Sequence, residues 1–195
     1  MNMNILINVL GIEGSGGIIV LDKALEECAA EKSYTFFVVC NDNKNIRQLK
    51  IKYKEFIFIF IKSGILYRIF YENIFFGRLV KRYKIQLIYN FSGSAQFNIL
   101  INTLQLTKVH NLLFYSRNLD AIYHSRNEYF AWLKQVFLKR IYFKLMLNQS
   151  KFIEAQSNHV KDYMSDFIDV KKKVFYIKSD VNVSTKLFCL PRKYN

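Results

Sequence analysis

Strand-like and helix-like segments alternate along this chain with short connections, and few architectures accept that pattern. Residues 4–10 read as a buried strand, apolar from Ile5 to Leu10 except at Asn8, that stops at Gly11. A turn with glycines at 11, 14, 16 and 17 leads into a helix predicted over 17–32, with Asp22, Lys23, Glu26 and Glu27 on its polar side. The pattern then predicts strands over 34–42 and 55–61, a helix with a basic last turn over 65–84, and a strand and polar turn over 85–94. Residues 95–106 read as helical and 108–118 as a strand entering a loop. A long helix is predicted over 127–150, with Phe130, Leu133, Phe137, Ile141 and Leu145 as its buried stripe. A short strand (151–157), a short helix (158–167) and a last strand (172–181) follow. The expected fold is α/β: a Rossmann-like, doubly wound, mainly parallel sheet with helices on both faces. Ligands bind such sheets at the carboxyl ends of the strands. The residues to examine are therefore 11–17, 41–42, 90–94, 110–118 and 157–159.

The first of these turns admits several readings. A dinucleotide fingerprint needs G-x-G-x-x-G with an acid about 20 residues on; Gly14 and Gly16 supply two glycines, but position 19 is Ile and Asp42 comes late. A P-loop needs Lys and a hydroxyl residue after its last glycine, where this chain has Gly17 and Ile18. A third reading is close approach: without Cβ at Gly16 and Gly17, a phosphate reaches their N–H groups at the positive end of the following helix. The fourth is that the glycines serve only to turn the chain and pack the helix.

Charge narrows the partners. Lys and Arg total 29 against 15 Asp and Glu, a net charge of +14, which favours nucleic acid, an anionic membrane surface or phosphate-bearing substrates. Bases interleave with aromatics over 75–84, 134–144 and 169–178, as on a membrane-facing helix or a nucleic-acid groove. Cys28, Cys40 and Cys189 are far apart and lack ligand spacing, so neither zinc nor a disulfide framework is expected and the thiols read as reduced and cytosolic. No secretory signal is expected at the N-terminus. The most apolar stretch, 56–80, is interrupted by Lys62, Arg68, Glu72 and Arg78, leaving no clean transmembrane span.

The strand–"GIEGSGGI"–helix opening, "FGRLVKRYKIQLIYNFSG", "KVHNLLFYSRN" and "LMLNQSKFIEAQSNHVKDYMSDF" followed by "KKVFYIKSDVNV" together resemble the N-terminal domain of GT-B-fold glycosyltransferases. More narrowly, they are similar to the retaining family 4 (group 1) enzymes of bacterial cell-surface polysaccharide synthesis, such as capsule or lipopolysaccharide. The resemblance runs from residue 4 to about 183 and lies in the order and spacing of elements. It implies an acceptor-side domain over 1–183, with 184–195 a short tail where the donor-binding domain would begin; the chain would be half of a transferase, inactive alone. Gly16 and Gly17 would face the donor diphosphate and acceptor. His110 would be catalytic, bonding a sugar hydroxyl or spreading charge in an oxocarbenium-like transition state, with Arg117 or His124 as competitors for that place. Asn90, Ser92, Asn111 and Arg117 would bind substrate; Ser94 belongs to the same turn, and Ser157 and Asn158 read as helix caps.

The resemblance also implies a lipid-linked or oligosaccharide acceptor, a separate donor-binding domain as partner, and no metal or other cofactor, the nucleotide-sugar being a co-substrate. Arg68, Arg78, Lys81, Arg82, Lys139 and Arg140 would dock the domain at the inner face of the cytoplasmic membrane. No nucleic acid is expected. Two other classes stay open: a nucleotide-cofactor-binding Rossmann protein, marked by Asp42 pointing at the glycine turn, and a basic nucleic-acid-binding α/β domain, marked by one groove of bases beside exposed aromatics.

Overall fold

The computed structural model describes residues 3–62, 64, 71–97, 101, 103–109, 118–165 and 167–178. The described residues form seven strands: β1 (Met3–Asn8), β2 (Tyr34–Asn41), β3 (Ile57–Ile61), β4 (Leu87–Asn90), β5 (Leu104–Val109), β6 (Phe152–Ala155) and β7 (Val174–Ile177). They lie in the order β3-β2-β1-β4-β5-β6-β7, and every neighbouring pair is parallel. The chain winds outward in one direction from β1 to β3 and in the other from β4 to β7, so the switch point lies between β1 and β4. Helices α1 (Ser15–Ala29), α2 (Lys44–Lys52), α3, α4 (Asn118–Ser125), α5 and α6 (Asn158–Ser165) make the connections. In α3 a π-helical turn, Tyr71–Phe75, runs into Phe76–Arg82. In α5 the turn Tyr129–Trp132 passes through a π-helical stretch, Leu133–Phe137, into Leu138–Gln149.

Parallel strands covered on both faces must be apolar on both, which is why the central strands are nearly unbroken hydrophobic runs. On one face Ile5, Ile7, Phe36, Val38 and Cys40 pack on Leu21, Leu25 and Cys28 of α1 and on Ile46 and Leu49 of α2. On the other, Leu6, Phe37, Val39 and Ile88 pack on Phe76 of α3. Further along that second face, Val109, Ile153 and Ala155 pack on Leu147 of α5 and on Val160 and Met164 of α6. The doubly wound, parallel Rossmann-like sheet expected from the alternation is the fold observed.

Several local expectations need correction. Residues 104–106, read as the end of a helix, open β5, because Gln105 and Thr107 turn inward to bond buried neighbours while Leu104 and Leu106 pack on the α1 face. The strand expected over 108–118 ends at Val109, and 110–117 lie outside the described residues. Helix α2 was not anticipated; its signal was Asn43, whose side chain caps it by accepting from Ile46 N–H at 2.9 Å, ahead of Ile46, Leu49 and Tyr53 at helical spacing. The stripe assigned to the core on α5 faces solvent: Phe130 is 80% exposed, and Leu133, Phe137, Ile141 and Leu145 are exposed too. The helix instead buries Val136, Met146 and Leu147. It carries two apolar arcs between its basic residues, so periodicity alone offered two faces, and the π-helical stretch shifts the phase between them.

The α4–α5 corner is tied by Asp120, which accepts from Trp132 Nε1 at 2.6 Å and from Arg140 Nη1 at 3.0 Å. Burial alone would raise this carboxyl, but the hydrogen bonds from Trp132 and Arg140 hold it below its ordinary value. A carboxylate lowered by folding contributes stability that is complete above its unfolded value and lost as pH falls through the folded one. Asp120→Asn is therefore expected to cost about 1–2 kcal/mol at pH 7. Denaturant titrations of wild type and variant should converge near pH 2, and a gap that persists there would contradict this assignment.

Candidate functional site

The turn after β1 is built by its neighbours. Val9 N–H bonds Val39 O at 3.0 Å, and Gly11, in the left-handed region at φ +82°, donates its N–H to Asn41 Oδ1 at 3.0 Å. Gly14 then caps α1 in an extended conformation with no side-chain cap. The first main-chain bond of the helix runs from Ile18 N–H to Gly14 O at 3.1 Å. The N–H groups of 15, 16 and 17 thus precede the helical ladder and sit at the positive end of a 15-residue helix with no acid in its first turn.

A cavity of about 480 Å³ opens against this turn, lined by Gly11, Ile12, Glu13, Gly14, Gly16, Gly17 and Val20, by Phe91 and Ser92 after β4, and by Gln156 after β6. It therefore lies at the carboxyl ends of β1 and β4, the switch point where doubly wound sheets bind ligands. A Cβ added at Gly14 or Gly16 would meet nothing within 4 Å, whereas at Gly17 it would come 3.0 Å from Ile12 Cγ2. Chain geometry accounts for Gly11 and packing for Gly17. Neither accounts for Gly16, which sits in the first helical turn where alanine is the better helix former. What glycine supplies at 16 is bare backbone on the cavity wall, the surface a phosphate needs.

Beside the cavity, on the α3 side of the sheet, the strand ends carry a buried polar layer. Asn8 Nδ2 donates to Glu72 Oε1 at 2.9 Å and to Asn90 Oδ1 at 3.3 Å. Asn90 Nδ2 donates to Gln105 Oε1 at 3.1 Å and to Thr107 Oγ1 at 3.4 Å, and Thr107 bonds Ser150. Gln105 also clasps the main chain of Gln96, accepting from its N–H at 2.9 Å and donating to its carbonyl at 2.8 Å. This layer fixes the spacing of β1, β4 and β5 where the loops leave the sheet.

The cavity gathers Gly16, Gly17 and Ser92 of the expected site residues. Asn90 is fully buried within the polar layer and supports the site from below, and Ser94 is buried as well. His110, Asn111 and Arg117 lie outside the described residues, as does Arg68. His124 stands on α4 against Trp132, with ring centroids 5.1 Å apart, and is not among the lining residues. Ser157 Oγ accepts from Val160 N–H at 3.4 Å, which is helix capping. Asp42 does not point at the glycine turn: it forms a two-pronged pair with Arg47, each contact 2.7 Å, on α2. Phe91 lies within the expected 90–94 turn, whereas Gln156 was passed over; it directly follows Ala155, the last residue of β6, and that position was its signal.

Among the described residues, no group of three or more His, Cys, Asp or Glu could hold a metal ion. Burial pushes the Cys40 thiol up to about 12 and raises Cys28 likewise, so neither offers a thiolate nucleophile at neutral pH. What the turn offers a ligand is main-chain N–H groups at the positive end of α1, with Glu13 the one charged side chain among the lining residues. Gly16→Ala should hold or raise Tm, by about 0.5–1 kcal/mol of helix propensity, while weakening inorganic pyrophosphate at least tenfold in calorimetric titration. Unchanged affinity would return this glycine to a purely structural role.

No protein-family model matches the chain, and no curated protein sequence matches it significantly. Solved structures do share its fold. A glycosyltransferase from Rickettsia africae superposes with a TM-score of 0.50 at 19% identity, covering 90% of this chain and 43% of that one. Anabaena HepE, solved in complex with UDP and glucose, superposes with a TM-score of 0.57 at 11% identity, covering 91% of this chain and 44% of its own. The chain thus spans less than half the length of either, and what they share with it is the Rossmann-like α/β fold.

Proposed function

We propose that the chain is the N-terminal, acceptor-side domain of a retaining GT-B glycosyltransferase of the family 4 type. Its reaction would move a sugar from a nucleotide-sugar to a lipid-linked or oligosaccharide acceptor in cell-surface polysaccharide synthesis. The observation that carries this reading is the cavity under bare glycine backbone at the β1/β4 switch point, on a fold shared with a glycosyltransferase and with a protein that holds UDP and glucose. In this role the N–H groups at Gly16 and Gly17 donate to the donor diphosphate as the leaving group gains charge. Ser92 lines the opposite wall, within reach of acceptor hydroxyls. His110, with Asn111 and Arg117 close by in sequence, would bond the transferred sugar and spread its developing positive charge. A second Rossmann-like domain would hold the nucleotide.

Asp42 favours this over a dinucleotide-cofactor reading, because its carboxylate is spent on Arg47 instead of facing the glycine turn. Docking to an anionic membrane surface completes the proposal. No described helix is long and apolar enough to cross a membrane. Helix α5, however, has no acidic residue between 129 and 149, and it exposes Lys134, Lys139 and Lys144 among Phe130, Leu133, Phe137, Leu138, Ile141 and Leu145. Each basic side chain near such a surface is worth about 1 kcal/mol, and the apolar side chains add burial at the headgroup boundary. Exposed Arg78, Lys81 and Arg82 on α3 would extend the patch. Arg140 turns the other way: it is 14% exposed, pairs with Asp120 and covers the Phe167 ring at 5.4 Å, so it is a structural residue and not a docking one.

Two outcomes test these readings. The chain alone should transfer no sugar; joined to a donor-binding domain it should be active, and His110→Ala should lower kcat/KM by about 10²–10⁴. Transfer by the chain alone, or full activity in the joined His110→Ala variant, would contradict the assignment. On the membrane side, sedimentation with phosphatidylglycerol vesicles should weaken as salt rises, and the Phe130→Ser/Leu138→Ser pair, at exposed positions, should reduce it severalfold at unchanged Tm. Equal binding to neutral vesicles, or a preference for generic DNA, would overturn docking at this face.

A further inference from the structure

One layer below the cavity the sheet buries an ion pair. Lys108 on β5 and Glu154 on β6 are register partners whose side chains are 3% and 4% exposed, and Lys108 Nζ lies 2.6 Å from Glu154 Oε1. The other carboxylate oxygen, Oε2, accepts from the Tyr89 hydroxyl of β4 at 2.8 Å. The ammonium also stands 5.4 Å from the centre of the Phe91 ring. Three adjacent strands are therefore linked through side chains on the face that carries α1.

Stability alone does not call for charges here. Moving both ions out of water costs about as much as their attraction returns, and an apolar trio of similar volume often serves equally well or better. What the ions supply is direction: a buried charged hydrogen bond has one geometry, where apolar contacts accept many. The link also sits where direction matters. Tyr89 is two residues before Phe91, Glu154 is two before Gln156, and both Phe91 and Gln156 line the cavity opposite the glycine turn.

We propose that Tyr89, Glu154 and Lys108 are positioning residues of the cavity, setting the height of the chain at 91–92 and at 156 against the bare backbone of Gly14 and Gly16. The cluster touches no ligand itself; it acts through Phe91 from above, by the cation over its ring, and through the strand ends from below. The inference deepens the functional reading in rigidity, since a diphosphate wall works only if its far side holds a fixed distance.

The test is the full chain carrying Tyr89→Phe, Lys108→Met and Glu154→Met together, which leaves no lone buried charge. Hydrogen exchange by mass spectrometry needs no ligand, so its result stands apart from whether the protein transfers sugar. The expected result is a Tm within a few degrees of wild type or above it, with exchange at least tenfold faster in peptides spanning 89–97 and 152–158 and unchanged in α1. Pyrophosphate affinity should fall at least tenfold in the same variant. Unchanged exchange at those segments, or a large drop in Tm with exchange rising throughout, would make the cluster an ordinary stabilising contact and overturn the proposal. If wild type binds no pyrophosphate while the exchange result holds, the transferase reading fails and the positioning role remains.

Discussion

The parallel pairing of β1 with β4 is the constraint on which the rest of the structure depends. These two strands begin the two halves of the winding, and their ends are locked together where Asn8 lies opposite Asn90 and bonds it. Two asparagines at the bottom of a crevice are expensive to bury unless satisfied, and here Glu72, Gln105 and Thr107 complete their bonds. Because loops must leave in opposite directions on either side of this pair, a crevice forms above it. The glycine turn closes one wall, and the chain after β4 and β6 closes the other.

That arrangement separates two tasks that sequence motifs tend to merge. The turn fails both familiar nucleotide fingerprints, lacking the third glycine of one and the lysine of the other. Its glycines nevertheless divide by physical need: Gly11 for a left-handed φ, Gly17 for clearance from Ile12, Gly16 for neither. A wall that offers main-chain N–H groups without a lysine suits a cleft whose remaining charge is supplied from the facing side.

The fold was legible because two periods alternate clearly. Buried parallel strands such as 34–41 are unmistakable as apolar, β-branched and aromatic runs, and order alone predicted the winding. The orientation of α5 was not legible. Trp132, Val136, Phe143, Met146 and Leu147 form a second apolar arc as good as the first, and only the tertiary contacts choose between them. The site was half legible: the glycine turn and Ser92 stood out as residues after strands, whereas the Lys108–Glu154 pair depends on the register between two strands that are far apart in sequence. A charge in each of two neighbouring buried strands was the signal, since such charges are rarely buried unless paired.

The central claim is that the first turn of α1 receives a diphosphate. Four of the chain's seven glycines lie in the turn, so protein labelled with ¹⁵N-glycine reports on the turn with the others as internal controls. Titration with inorganic pyrophosphate should move the Gly14, Gly16 and Gly17 amide signals along saturable curves with one shared Kd, leaving Gly64 and Gly77 in place. Absence of any shift, or equal drift of all seven signals as expected of diffuse attraction to a basic protein, would contradict the account.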